Sequence, residues 1–213
     1  MTRYRLLIFD FDGTLADSAA WFVAKYSELA AELGLRRLTD ADVQMLRGRS
    51  TREIMAYLQV PVWKLPRIAS RFRAQARLEV DRIELFAGVD ELLPALVQRG
   101  STLAIVSSNS EDNVRAILGP ANSAWIAAFE CSASLLGKAR KLRAVMKRTG
   151  IPAQHTLCIG DETRDIEAAR SAGADAAAVT WGYANADALQ RFEPTWLLRS
   201  FEELLTVATA TDS

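Results

Sequence analysis

The stretch RLLIFDFDGTLADS, Arg5 to Ser18, sets Asp10 and Asp12 directly behind an apolar run, with Gly13 next. An unbroken run such as Leu6 to Phe9 reads as a strand buried on both faces. Carboxylates at its end are costly to bury unpaired, and a metal cation is the simplest compensation. Other apolar runs end in polar residues too. TLAIVSSNS finishes in Ser107, Ser108 and Asn109, and TLCIGDETRD carries Asp161 and Asp165 beyond its strand-like part. Lys138 follows a glycine at the head of a helical stretch. Together these polar ends could converge on one crevice around a metal cation.

Taken singly, each element has an ordinary structural reading. A DxDG at a strand end can be a turn with a helix cap, and SSN after a strand is common turn chemistry. Most lysines are solvated, and acids at a helix start are favoured by the helix dipole without any metal. The signal lies in their joint order, each at the boundary of an element.

Those elements alternate. Phe22, Tyr26, Leu29 and Leu33 recur at helical spacing up to Gly34, and TDAD (Thr39 to Asp42) and STRE (Ser50 to Glu53) read as capping boxes opening two more helices. Pro61 and Pro66 punctuate the next segment, and Ile68, Phe72, Ala76 and Ile83 predict a longer helix. Nothing in 17–84 reads as a strand. Beyond it come a helix ending at Gly100, the strand of TLAIV, a short strand within IAAFECSAS, the helix of KARKLRAVMKRTG, the strand TLCIGD, the helix of RDIEAARSAG and the strand of DAAAVTWG. Short apolar strands alternating with amphipathic helices predict an α/β fold: a Rossmann-like parallel sheet with helices on both faces. Ligands of such folds sit beyond the carboxyl ends of the strands. The expected organisation is a core of 1–16 and 85–213 with an all-helical cap, 17–84, inserted over the site.

Composition limits the alternatives. Lys plus Arg and Asp plus Glu both number 26, so no net field recruits nucleic acid or an anionic membrane. Two cysteines make neither a disulfide framework nor a metal cluster, and Cys158 in TLCIG is expected to be a reduced core thiol. The first apolar run is too short for a signal peptide or a membrane span, so a cytoplasmic location is expected.

The chain resembles the haloacid dehalogenase-like hydrolases, and among them phosphatases of the phosphoglycolate phosphatase type with a helical cap. DFDGT is similar to the first family motif, VSSN to the second, the lysine of GK to the third and GDETRD to the fourth. Two details depart from the pattern: Ser107 stands where threonine is commoner, and GKARK replaces the frequent KPxP. Both keep the needed functional group.

The resemblance implies a Mg²⁺-dependent phosphatase acting on a small phosphorylated metabolite. Asp10 is then the nucleophile, and Asp12 the acid that protonates the leaving alkoxide and the base that activates water. Mg²⁺ falls to Asp10, the backbone carbonyl of Asp12 and Asp161, with Asp165 supporting. Lys138 neutralises phosphoryl oxygens and Asp10, while Ser107, the amides near Ser108 and Gly13, and Asn109 bind the phosphoryl group. Asp12 also argues against cleavage of carbon–halogen or carbon–phosphorus bonds, because relatives with those activities generally lack it.

Two other classes are weighed. A mutase like beta-phosphoglucomutase uses the same phospho-aspartate and tends to use a cap histidine; the single histidine, His155, precedes the fourth strand. A phospho-accepting receiver domain combines similar residues but carries no insert over its site. Within 17–84, LRGRSTRE is the best candidate for reading substrate, since a glycine between arginines before a helix start can bring amides and a guanidinium to an anion. Arg47, Arg49 and Arg52 are the candidates, and Arg49 is preferred.

Overall fold

The computed structural model describes residues 3–132 and 137–210. The first strand, β1 (Leu6–Phe9), is buried along its whole length. It is followed by β2 (Ala16–Asp17), the helices α1 (Ala19–Leu33), α2 (Asp40–Leu46), α3 (Thr51–Tyr57) and α4 (Leu65–Leu78), and β3 (Glu84–Leu85). Then come α5 (Val89–Gln98), β4 (Thr102–Val106), α6 (Glu111–Ser123), β5 (Ile126–Glu130), α7 (Lys138–Thr149) and β6 (Thr156–Gly160). The chain closes with α8 (Thr163–Ala172), β7 (Asp175–Val179), α9 (Ala186–Gln190), β8 (Trp196–Leu198) and α10 (Phe201–Thr209).

Six strands form one sheet in the order β5-β4-β1-β6-β7-β8, and every pairing within it is parallel. This is the expected α/β Rossmann-like sheet. Strand alternation divides the core. Leu7, Phe9, Leu103, Ile105, Leu157 and Ile159 meet Leu93 and Leu96 of α5 and Leu204 of α10 on one face. Leu6, Ile8, Ala104, Val106 and Cys158 meet Leu142 and Val145 of α7 and Ile166 of α8 on the other. Because β1 lies between β4 and β6, the strand order reverses beside it, and a crevice opens at its carboxyl end. Asp10 is the first residue there.

Both expected capping boxes are formed, Thr39 with Asp42 and Ser50 with Glu53, and Gly34 ends α1 in the left-handed region at φ 63°. Two expectations need correction. Residues 17 and 84 are not helical: Asp17 pairs with Glu84 and Ala16 with Leu85 in a two-stranded antiparallel ribbon. The helix expected to reach Ile83 stops at Leu78, because Glu79 leaves helical geometry at φ −131° and a short 3-10 turn follows. The third strand is Ile126–Glu130, and Ala133 and Ser134 of the same stretch lie outside the described residues. β8 is a sixth strand that the sequence pattern did not suggest. No helix among the described residues is long and apolar enough to cross a membrane.

Candidate active site

β1, β4, β6 and β7 all point their carboxyl ends at one crevice. Asp10, 3% exposed, receives Lys138 Nζ on Oδ2 at 2.8 Å and the amide of Phe11 on Oδ1 at 2.8 Å. Lys138 arrives from the start of α7, and the same Nζ donates to Asp165 Oδ1 at 2.7 Å. Asp165 lies in the first turn of α8, where its Oδ2 accepts the amide of Glu162 at 3.0 Å. Asp161, wholly buried, takes the Thr14 hydroxyl on Oδ1 at 3.0 Å and the Tyr183 amide on Oδ2 at 2.7 Å.

One carboxylate oxygen from each of Asp10, Asp161 and Asp165 lies within 4.8 Å of the others. Glycines make this crowding possible. A Cβ on Gly13 would stand 2.2 Å from Asp161 Oδ2, one on Gly182 2.3 Å from Asp161 Cβ, and one on Gly160 2.4 Å from Asp165 Oδ2. Gly13 also holds φ at 76°, a region that residues with a Cβ seldom enter.

The electrostatics identify what such a cluster lacks. Burial, and then the charges of Glu162, Asp165 and Asp10, push the Asp161 carboxyl well above the carboxylate range. Burial also works against charge on Asp165, but Lys138 and Arg164 outweigh it and hold that carboxyl low. Burial opposes the Lys138 cation as well, and the charges of Asp10 and Asp165 more than restore it. A divalent cation is the charge that would complete the set, and an all-oxygen donor group suits Mg²⁺. The residues fit that ion.

Asp12 stands apart from the three. Its Oδ2 accepts Asn109 Nδ2 at 3.2 Å. Burial and the neighbouring Asp10 charge push its carboxyl up to about 6, against the opposing hydrogen bonds of Ser18 and Asn109. Such a group can carry a proton near neutral pH and give it up again. Ser107 is buried, its hydroxyl accepting the Asn109 amide at 3.0 Å. The Ser108 carbonyl accepts Arg73 Nη1 at 3.0 Å, so α4 is fastened to this turn.

Asp10, Asp12, Gly13, Ser107, Ser108, Asn109, Lys138, Asp161 and Asp165 thus gather at the strand ends. Arg49 does not join them. It is exposed and pairs with Glu53 at 3.2 Å, whereas Arg47 of the same loop donates to the Gly182 carbonyl at 3.1 Å. Sequence reasoning missed Thr14, Ser18, Tyr183, Glu162 and Arg164. Tyr183 follows β7, whose end belongs to the same crevice, and its hydroxyl meets Ser18 Oγ at 2.8 Å. Searching every strand end would have found it.

A phosphoglycolate phosphatase from Synechococcus elongatus is 35% identical over 204 residues, 95% of this chain and 96% of its own length. A 5'-nucleotidase from Pseudomonas aeruginosa is 27% identical, with 91% of this chain and 90% of the relative covered. The fold matches a haloacid dehalogenase-like hydrolase from Streptococcus pneumoniae at a TM-score of 0.76, with 19% identity and coverage of 96% and 98%. The family pattern of the haloacid dehalogenase-like hydrolases matches residues 7–179, a span that opens in β1 and closes with β7 and so holds Asp10, Lys138, Asp161 and Asp165: the chain belongs to that family.

Proposed function

We propose that this chain is a Mg²⁺-dependent phosphatase that hydrolyses a small phosphate monoester through an aspartyl-phosphate on Asp10, with 2-phosphoglycolate the first substrate to try. The observation that carries the reading is the meeting of Asp10, Asp161 and Asp165 within 4.8 Å, beside a carboxyl, Asp12, whose proton affinity is raised to about 6. The substrate is suggested by the relatives named phosphoglycolate phosphatase.

Phosphate monoesters resist hydrolysis so strongly that rate enhancements up to about 10²¹ are known for them. A carboxylate nucleophile divides the reaction into two easier steps. Asp10 attacks phosphorus while Asp12 gives its proton to the leaving alkoxide. Asp12, now ionised, takes a proton from the water that cleaves the acyl phosphate. Lys138 neutralises both Asp10 and the phosphoryl oxygens, and the Ser107 hydroxyl with the amides around Gly13 and Ser108 supports the developing charge. Asp10, the Asp12 carbonyl and Asp161, supported by Asp165, would hold Mg²⁺, which would supply charge neutralisation and a template. Residues 17–84 serve as a cap that reads the remainder of the substrate, and Arg47 is better placed than Arg49 to take part.

Mutase chemistry has no support in the position of His155. It precedes β6, at the amino edge of the sheet, and its Nδ1 faces the Arg3 carbonyl at 3.2 Å. A receiver domain would not need the four helices between β2 and β3. The test is a panel of phosphomonoesters assayed with Mg²⁺, including 2-phosphoglycolate, sugar phosphates, nucleoside monophosphates and p-nitrophenyl phosphate. Multiple turnovers on one class, abolished by a chelator, are expected. A stable phosphoprotein without turnover would contradict the reading.

A further inference from the structure

Arg164 is the second residue of α8, a place where the helix dipole favours acids and disfavours cations. It nevertheless lies half-buried against the carboxylate cluster, with 15% of its side chain exposed. Nη2 lies 2.5 Å from Glu162 Oε1 and 4.0 Å from Asp10 Oδ2, the oxygen that Lys138 Nζ meets at 2.8 Å. Its Nε is buried and has no hydrogen-bond partner, one of two such side-chain atoms among the described residues. Glu162 is itself held from the other side, its Oε2 accepting the Thr51 hydroxyl at 3.4 Å.

Charge compensation for Glu162 would need one end of the guanidinium and would not require an orphaned donor. Burying an N–H without a partner costs stability, and a guanidinium presents its donors as a planar fork suited to phosphate oxygens. Five carboxylates (Asp10, Asp12, Asp161, Glu162, Asp165) face two cations here, Lys138 and Arg164. Even with a divalent ion added, an incoming phosphoryl dianion meets a site with no surplus of positive charge. We infer that Arg164 is a second phosphoryl-binding cation, fixed by Glu162 through one nitrogen so that its free donors meet the phosphoryl oxygens opposite Lys138. This rests on the phosphatase reading above, and it adds a substrate contact from a residue that lies between the acids of the GDETRD segment.

Calorimetric titration of the Mg²⁺-loaded protein with inorganic phosphate tests it. Arg164→Gln and Arg164→Lys should each bind phosphate at least about tenfold more weakly, since a charge-assisted fork is lost in both. The Mg²⁺ affinity of Arg164→Gln, titrated without phosphate, should be unchanged or tighter, because a competing cation has gone. Phosphate binding equal to wild type in Arg164→Gln would overturn the inference. So would an equal loss of Mg²⁺ affinity, which would place the effect on the metal ligands. If Arg164→Gln does not fold, Arg164→Lys decides in the same way. A wild-type protein that binds no phosphate and turns over no phosphomonoester would instead overturn the phosphatase reading, and this inference with it.

Discussion

Asn109 Nδ2 donates to Asp12 Oδ2 across 3.2 Å, joining the end of β4 to the end of β1. The amide is not free to turn away. Its Oδ1 accepts the Ser110 amide at 2.9 Å and Asn113 Nδ2 at 3.0 Å, so the side chain is fixed before it meets the carboxyl. In the proposed mechanism Asp12 first gives and then takes a proton, and a carboxyl with that role gains from being held in one orientation. Asn109→Ala should leave the fold intact and lower kcat on alkyl phosphates by about ten- to a hundredfold, within the range that acid–base catalysis supplies. Steady-state kinetics on 2-phosphoglycolate check this; an unchanged kcat would remove Asn109 from the proton-transfer apparatus.

The raised proton affinity of Asp12 has a consequence for stability. Its folded-state carboxyl titrates near 6 against an ordinary 3.8, so the folded protein holds that proton more tightly than the unfolded chain. The stabilisation is complete below the ordinary value and is lost as pH rises through about 6. Asp12→Asn removes the dependence. With a chelator present, the variant should melt higher than wild type at pH 8, by about 5 °C, and the gap should close towards pH 4. Thermal unfolding monitored by circular dichroism across that range is the check.

The parts of this site that were legible in the sequence are those where burial and charge conflict. Asp10 and Asp161 follow fully buried strands, β1 and β6, and a carboxylate at such a place needs an explanation. Lys138 and Asp165 were legible only jointly, through the order of polar groups at element boundaries and the resemblance it carries, because each alone is ordinary at a helix start. Thr14 was not, since it acts through a short hydroxyl hidden among turn chemistry, and Tyr183, acting through a backbone amide, had only its place after β7 to mark it. Arg164 was overlooked because GDETRD was read for its acids alone. In the fold, the β2–β3 ribbon is two residues on each side, too short for any alternation, and β8 offers two half-buried residues and one buried one. Ile83 keeps helical spacing with Ala76, yet the backbone turns out of the helix between them at Glu79.

Gly182 is the direct probe of the space around Asp161. Its φ is not positive, so an added methyl group tests packing without imposing backbone strain of its own. That methyl would lie 2.3 Å from Asp161 Cβ and 2.4 Å from the Gly13 carbonyl. Gly182→Ala should therefore displace the carboxylate and raise the Mg²⁺ concentration needed for half-maximal activity by about tenfold or more. Activity measured over a Mg²⁺ series checks it; a wild-type midpoint would mean that the cradle is looser than its geometry.

The two arginines flanking Gly48 should behave differently. Arg49 is exposed and pairs with Glu53 four residues on, and surface pairs of that kind contribute little. Arg49→Ala should change kcat/KM on 2-phosphoglycolate by less than about twofold. Arg47 holds the Gly182 carbonyl and, through its own carbonyl, the amide of Asn185 at 2.8 Å. Losing the guanidinium tie to Gly182 should raise KM by about fivefold, the equivalent of one ordinary hydrogen bond. Kinetics on the two alanine variants, side by side, separate them.

The account as a whole depends on a covalent phosphoryl group on Asp10. Asp12→Ala with p-nitrophenyl phosphate measures this most directly, because p-nitrophenolate leaves without a proton while water still needs a base. Rapid mixing should show a burst of p-nitrophenolate near one equivalent per site, followed by slow turnover. Acid quench and peptide mass spectrometry should then find one phosphoryl group, on Asp10. Asp10→Asn should give no burst and no labelled peptide. Steady turnover by Asp12→Ala at the wild-type rate, with no phosphorylated Asp10 at any time, would contradict the mechanism.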